Sequence, residues 1–183
     1  MTEPRRQKGL FARLRGDRRG VSAVEFAMLA PVMIGFYFGM AEFCQGFMAQ
    51  KRMGHAASQV ADLVAQKDVI TTAEVSDVFG IGALIMKPYS SAPLKMRVTS
   101  VARQADGSTK VEWSQGSGLT ALAKDAAFAV PAGVLEAEGE TVIVSESTYD
   151  YDSPVDYFMP GVTQFRHTYY LRPRSVERVK LLP

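Results

Sequence analysis

A long apolar stretch near the start of the chain limits what this sequence can fold into. From residue 21 to residue 49 the sequence is almost continuously apolar, interrupted by Glu25, Glu42 and Gln45. A helix that spans a bilayer needs about 20 apolar residues, whereas the apolar core of a cleaved secretory signal has only about 7 to 15. The stretch therefore predicts a single transmembrane helix at residues 21–49.

The charge of the chain is concentrated before this helix. The first 20 residues hold seven of the 21 Lys and Arg and two of the 19 Asp and Glu, which leaves 14 basic and 17 acidic residues after Gly20. Basic flanks of a membrane helix stay in the cytoplasm, so residues 1–20 are expected to form a basic cytoplasmic leader. A nucleic-acid-binding surface is not expected, because the rest of the chain is net acidic.

The two glutamates mark the ends of the apolar stretch. Glu25 and Glu42 are separated by about 25 Å along a helix, a little less than the hydrocarbon thickness of about 30 Å. A charge costs least near the edge of the bilayer, so a boundary position accounts for Glu42. That reasoning does not explain why Glu25 follows Gly20 by five residues.

Glycines form a stripe on the predicted helix. Gly35 and Gly39 are spaced as G-x-x-x-G, and Gly46 continues the same face. Small residues let a second membrane helix approach closely, so these three glycines are candidate helix-packing positions. The alternative is that they occur by chance in an apolar helix, since so short a motif is weakly specific.

The residues around Gly20 carry a family resemblance. Gly20-Val21-Ser22-Ala23-Val24-Glu25 resembles the processing site of type IV pilin precursors, and GVSAVEFAMLAPVMIGFYFG is similar to the TadE/TadG-like proteins of the Tad pilus (type IVc, Flp-type). The resemblance implies that Gly20–Val21 is cut by a prepilin peptidase and that Glu25 is the assembly charge. Phe26, where the major pilins of this system usually have tyrosine, fits the TadE-like minor pilins better.

The same resemblance implies a function and a set of partners. It indicates a non-enzymatic minor pilin or pseudopilin in the inner membrane, with a periplasmic C-terminal domain, that acts in assembly of a Tad pilus for adhesion or secretion. The implied partners are the prepilin peptidase, other Tad pilins and minor pilins, and the inner-membrane Tad assembly platform. The alternative is an uncleaved, signal-anchored periplasmic scaffold or sensor.

Beyond the membrane helix the sequence predicts an α+β arrangement. A helical stalk is expected over residues 50–92, with Thr71 to Glu74 as a capping box that opens a second helix. A small antiparallel-sheet, pilin-like head is expected over residues 93–183, with a hairpin around Ala105 to Ser108. The connector from Leu119 to Phe128 reads as helical or irregular.

Catalytic and metal-binding patterns are weak in this sequence. It has two histidines, His55 and His167, and one cysteine, Cys44, without zinc-ligand or nucleophile–histidine spacing. The acidic run at 150–152 with Asp156 lacks the glycine and terminal glutamate of a calcium loop. No cofactor, metal or enzymatic activity is therefore expected, and the aromatic residues after residue 148 read either as sheet core or as a contact surface.

Overall fold

The computed structural model describes residues 20–154 and 161–183, and it confirms the predicted α+β class. A long helix is followed by a short strand, a second helix and a small antiparallel sheet. The chain divides into two compact units, one ending at Ala41 and the other running from Glu42 to Pro183. The basic leader up to residue 19 lies outside the described residues, and the boundaries at residues 49 and 92 stay predictions.

Helix α1 runs from Val21 to Ala65 and contains Pro31. The predicted membrane helix and the first part of the predicted stalk are thus one continuous element. The helix ends where Arg174, from a distant part of the chain, donates its backbone N–H to the Ala65 carbonyl over 2.9 Å. This bond satisfies one of the carbonyls that a helix end leaves without an intrahelical partner.

Helix α2, Thr72–Ile85, begins at the predicted capping box. The Thr71 side chain accepts a hydrogen bond from the Glu74 backbone N–H, and the Glu74 carboxylate accepts one from the Thr71 backbone N–H over 2.8 Å. Each residue thus satisfies a donor that the first turn of the helix leaves exposed. Lys67 makes a 3.3 Å ion pair with the same carboxylate.

Acid is expected to reveal the contribution of this carboxylate. The Thr71 backbone N–H, followed by Lys67, holds the pKa of Glu74 below its ordinary value of 4.5. A lowered pKa gives stability that is present above the ordinary pKa and is lost as the pH falls through the folded-state pKa. Urea unfolding of the wild type and of Glu74→Gln should therefore differ more at about pH 7 than at about pH 3. An equal gap at both pH values would contradict this assignment.

Four strands form the main sheet, in the order β3-β2-β4-β5 with antiparallel neighbours. Their bounds are Leu94–Arg103 for β2, Thr109–Ser117 for β3, Thr141–Tyr151 for β4 and Thr163–Leu171 for β5. The hairpin predicted around residues 105–108 joins β2 to β3. A second sheet was not predicted: β1, Val69–Thr71, pairs in parallel with β6, Lys180–Leu182.

The connector after β3 is irregular in the described structure, so its helical interpretation was wrong. Val111 on β3 donates its backbone N–H to the Ala126 carbonyl over 2.9 Å, and Phe128 donates to the Thr109 carbonyl over 3.1 Å. The segment thus bonds along the outer edge of β3. These long-range bonds replace the local bonds that a helix would have made.

The main core lies between the second half of α1 and the sheet. Val60 and Val64 of the helix pack in one cluster with Met96, Val98 and Ile143 of the strands. The part of α1 that belongs to the second unit has one fully buried face, on which most side chains are small. Its members are Ala49, Met53, Ala56, Ala57, Val60, Ala61, Val64 and Ala65. Ser145 and Ser147 of β4 are buried in the same unit.

Candidate processing and assembly site

The candidate processing site lies immediately before α1. Gly20 is exposed, Val21 is the first helical residue, and Val21 is itself 52% exposed. Among the described residues, no atom lies within 4 Å of the place where a Cβ on Gly20 would be. A peptide bond with a glycine on one side and open surroundings is sterically accessible to another protein.

Glu25 lies on the first unit and is exposed. It follows Val21 by four residues in a regular helix, which corresponds to about 6 Å along the axis. Glu25 therefore lies within the first one and a half turns of α1, which begins directly after Gly20.

The described part of the first unit beyond Glu25 is apolar on every side. Val32, Met33 and Ile34 point about 100° apart around the helix axis, and they are 67%, 62% and 55% exposed. A helix that is apolar all round is normally buried in a core or in a membrane. Among the described residues, α1 is the helix that is long and apolar enough to cross a membrane.

The candidate packing glycines have different surroundings. Gly35 and Gly39 are partly exposed on the first unit, and a Cβ added to Gly35 would have no described atom within 4 Å. Gly46 belongs to the second unit and is buried there, as is Glu42, which is only 1% exposed. Gly46 is therefore buried within the second unit, whereas Gly35 and Gly39 are partly exposed.

His167 and Asp150, two of the residues considered for chemistry in the sequence, make contacts within the second unit. Among residues 20–154 and 161–183, no group of three His, Cys, Asp or Glu side chains is placed to hold a metal ion. His167 packs against Gly54, with its ring 3.8 Å from the place where a Cβ would be. Asp150 of the acidic run makes a 3.1 Å ion pair with Lys95 on the sheet surface, and Asp156 lies outside the described residues.

Most of the described aromatic residues near β4 and β5 belong to the core. Tyr149 and Tyr151 are 4% and 3% exposed, and the Tyr151 ring stacks on Phe165 at 5.8 Å. Burial raises the pKa of the Tyr149 and Tyr151 hydroxyls. Tyr169 remains 40% exposed, and Tyr157 and Phe158 lie outside the described residues.

Sequence reasoning missed one contact at the start of the second unit. Tyr89, in the turn after α2, donates its hydroxyl over 3.1 Å to the backbone carbonyl of Gln45, and its oxygen lies equally close to the Gln45 side-chain carbonyl oxygen. The two residues are separated by 44 positions. No local pattern could have indicated the contact, because it depends on how α2 returns along α1.

A comparison with known protein families gives a match to the first helix. Residues 20–62 match the family model of TadE-like proteins. No significant match to the chain was found among curated proteins or among solved structures. The match begins at the candidate processing glycine and extends along α1 into the second unit, so residues 20–62 of the chain are similar to TadE-like proteins.

Proposed function

We propose that this protein is the precursor of a TadE-like minor pilin or pseudopilin that is cut after Gly20 and acts in assembly of a Tad-type pilus. The observation that carries the proposal is the start of the family match at Gly20, directly before α1 and five residues before Glu25. The protein would have no catalytic activity of its own and would be a substrate of the prepilin peptidase.

Hydrolysis of the Gly20–Val21 bond would change the charge at this end of the helix. Hydrolysis adds water across the peptide bond. The released leader then ends in a carboxylate on Gly20, and Val21 gains a terminal ammonium group. The leader removes seven basic and two acidic residues from the membrane-bound chain. The mature helix would then carry a single terminal charge pair, Val21 and Glu25, in place of a strongly basic flank.

The Val21 ammonium group and the Glu25 carboxylate support a role for this end of the helix in aligning neighbouring subunits. The Val21 ammonium group of one subunit can pair with Glu25 of its own chain or of a neighbour, and pairing lowers the cost of holding either charge near lipid. The exposed Gly35–Gly39 part of the stripe would let helices of other Tad pilins approach closely. The apolar surface of the first unit then remains covered when the helix moves from lipid to a helical bundle.

Processing is tested by the intact mass and N-terminal residue of the protein in its native membrane, with and without the prepilin peptidase. We expect a chain that starts at Val21 only when the peptidase is present. A chain that keeps residues 1–20 in both strains would contradict the proposal and favour the uncleaved periplasmic scaffold or sensor.

A further inference from the structure

The two outer strands of the main sheet differ in what covers them. Along β3 the connector supplies backbone partners: Val111 donates its N–H to the Ala126 carbonyl over 2.9 Å, and its own carbonyl accepts from Asp125 over 2.8 Å. Along β5, the described residues provide backbone hydrogen bonds through β4 alone. The chain therefore closes one edge of this sheet, and the described structure leaves the other edge open.

The open edge of β5 presents backbone groups to its surroundings. In an antiparallel pair, every second residue directs its N–H and C=O away from the partner strand. Native proteins usually protect such an edge with a short strand, a proline, a bulge or a covering segment. β5 has nine residues and no proline, and its register with β4 is unbroken. It is therefore a template of about 30 Å to which a further extended strand can add.

Side chains in the middle of β5 are accessible on both faces of the sheet. Four consecutive residues are exposed, namely Arg166, His167, Thr168 and Tyr169, and successive residues of a strand point to opposite faces. Arg166 and Thr168 thus share one face, and Phe165, His167 and Tyr169 share the other. An added strand would meet a cationic, polar row on one face and an aromatic row on the other.

Cationic side chains surround the first of these two faces. A groove of about 370 Å³ is lined in part by Lys95, Arg97 and Arg166, and the register places Lys95 and Arg166 in one row across β4. Arg97 makes a 2.7 Å ion pair with Glu146, and Lys95 makes a 3.1 Å ion pair with Asp150. Arg166 makes no ion pair with a described residue. The uncompensated positive charge therefore lies on the open edge strand itself.

This charge distinguishes between possible occupants of the edge. A second copy of β5 would bring another Arg166 and no carboxylate, because the strand contains no acidic residue. A strand with acidic residues at alternate positions would instead place carboxylates beside Arg166 and the groove. Apolar residues at the intervening positions would face Phe165 and Tyr169, as cross-strand pairs that stabilise a sheet.

We propose that the open edge of β5 binds an extended segment of another protein, in which acidic and apolar residues alternate, as a fifth strand of the main sheet. Backbone hydrogen bonds supply affinity in this mode of binding, and Arg166 selects the acidic partner. The inference concerns the second unit alone and depends neither on the cut after Gly20 nor on entry into a pilus. Its failure would leave the proposed function untouched, because processing is measured separately at the N-terminus.

Synthetic peptides of about ten residues, the length of a long strand, test this proposal on the full chain in detergent. Glutamate alternates with valine in one peptide, and lysine alternates with valine in the other. Binding is measured by fluorescence anisotropy of a dye on the peptide, and the site is located by amide hydrogen exchange. We expect the glutamate peptide to bind about tenfold more tightly than the lysine peptide. It should slow exchange in residues 163–171 and leave residues 109–117 of β3 unchanged.

Matched variants separate the contribution of charge from that of the backbone. Arg166→Glu is expected to abolish the preference for the glutamate peptide. Lys110→Glu makes the same change in net charge on β3, at the closed edge, and should keep the preference. A glutamate peptide that is N-methylated at every residue keeps its carboxylates but has no backbone N–H, and it should lose most of its affinity.

Four results would overturn the proposal. Absence of binding, or equal binding of the glutamate and lysine peptides, would exclude an acidic partner at this edge. An unchanged preference in Arg166→Glu would exclude Arg166 as the selecting residue. Equal binding of the N-methylated peptide would exclude strand addition. Slow exchange of residues 163–171 that increases with protein concentration, without peptide, would show that a second copy occupies the edge.

Discussion

Glu25→Ala is expected to leave membrane insertion and the cut after Gly20 unchanged and to reduce incorporation into pili about tenfold. An unpaired charge costs about 2.5 to 3.5 kcal/mol at the centre of a membrane helix and less near its edge, and about 1.4 kcal/mol corresponds to a tenfold change in an equilibrium. Removal of the carboxylate leaves the Val21 ammonium group of the mature helix without its proposed partner. The measurement is the amount of the protein in sheared pili relative to the amount in the membrane.

Two variants control this experiment. Met28→Ala changes an exposed side chain, 74% accessible, less than one turn further along the same helix without changing its charge. It is expected to assemble at the wild-type level. Glu25→Asp keeps the charge and is expected to recover part of the incorporation. Wild-type incorporation of Glu25→Ala would show that the carboxylate is not the assembly charge.

Gly116→Ala is expected to destabilise the second unit by about 2 to 3 kcal/mol, the upper part of the range for overpacking a tight site. A Cβ at this position would lie 2.0 Å from the backbone carbonyl oxygen of Leu119. Because the obstructing atom belongs to the main chain, a side-chain rotation cannot relieve the overlap. The end of β3 and the turn into the connector would have to open instead.

The single tryptophan of the chain reports this change. Trp113 lies on β3, three residues before Gly116, and its indole N–H donates to the Val179 carbonyl over 2.8 Å. Urea unfolding of the detergent-solubilised protein, followed by Trp113 fluorescence, should show a lower midpoint for Gly116→Ala. Gly80→Ala is the matched control: the described structure has no atom within 4 Å of its new Cβ, and alanine in a helix is favoured over glycine by about 0.5 to 1 kcal/mol. Equal midpoints for wild type and Gly116→Ala would contradict the predicted overlap.

The features predicted correctly from sequence are those fixed by local patterns. The apolar run predicted α1, and the Thr71–Glu74 spacing predicted the start of α2. The residues around Gly107 predicted the hairpin. The candidate processing and assembly residues come from a short local pattern too, and their roles stay predictions. Each of these signals extends over few residues, so the sequence contains it directly.

The features that were missed depend on contacts between distant residues. The pairing of β1 with β6 joins Val69 to Lys180, and the connector is irregular because its backbone bonds to β3. Gly46 illustrates the same limit within the candidate site. Its spacing continues the Gly35–Gly39 stripe of candidate helix-packing positions, but in the structure it is buried within the second unit.

The pairing of β1 with β6 has a consequence for the order of events during export. Residues 174–182 supply the Arg174 bond to the end of α1 and the strand that pairs with β1. Buried Val179 lies in the same core cluster as Val60 and Val64 of α1. In the proposed orientation, with the second unit exported, this unit cannot complete its fold until residue 182 has crossed the membrane, long after α1 has entered it. The chain would pass through the membrane unfolded and would fold on the far side, beginning from a helix that is already anchored.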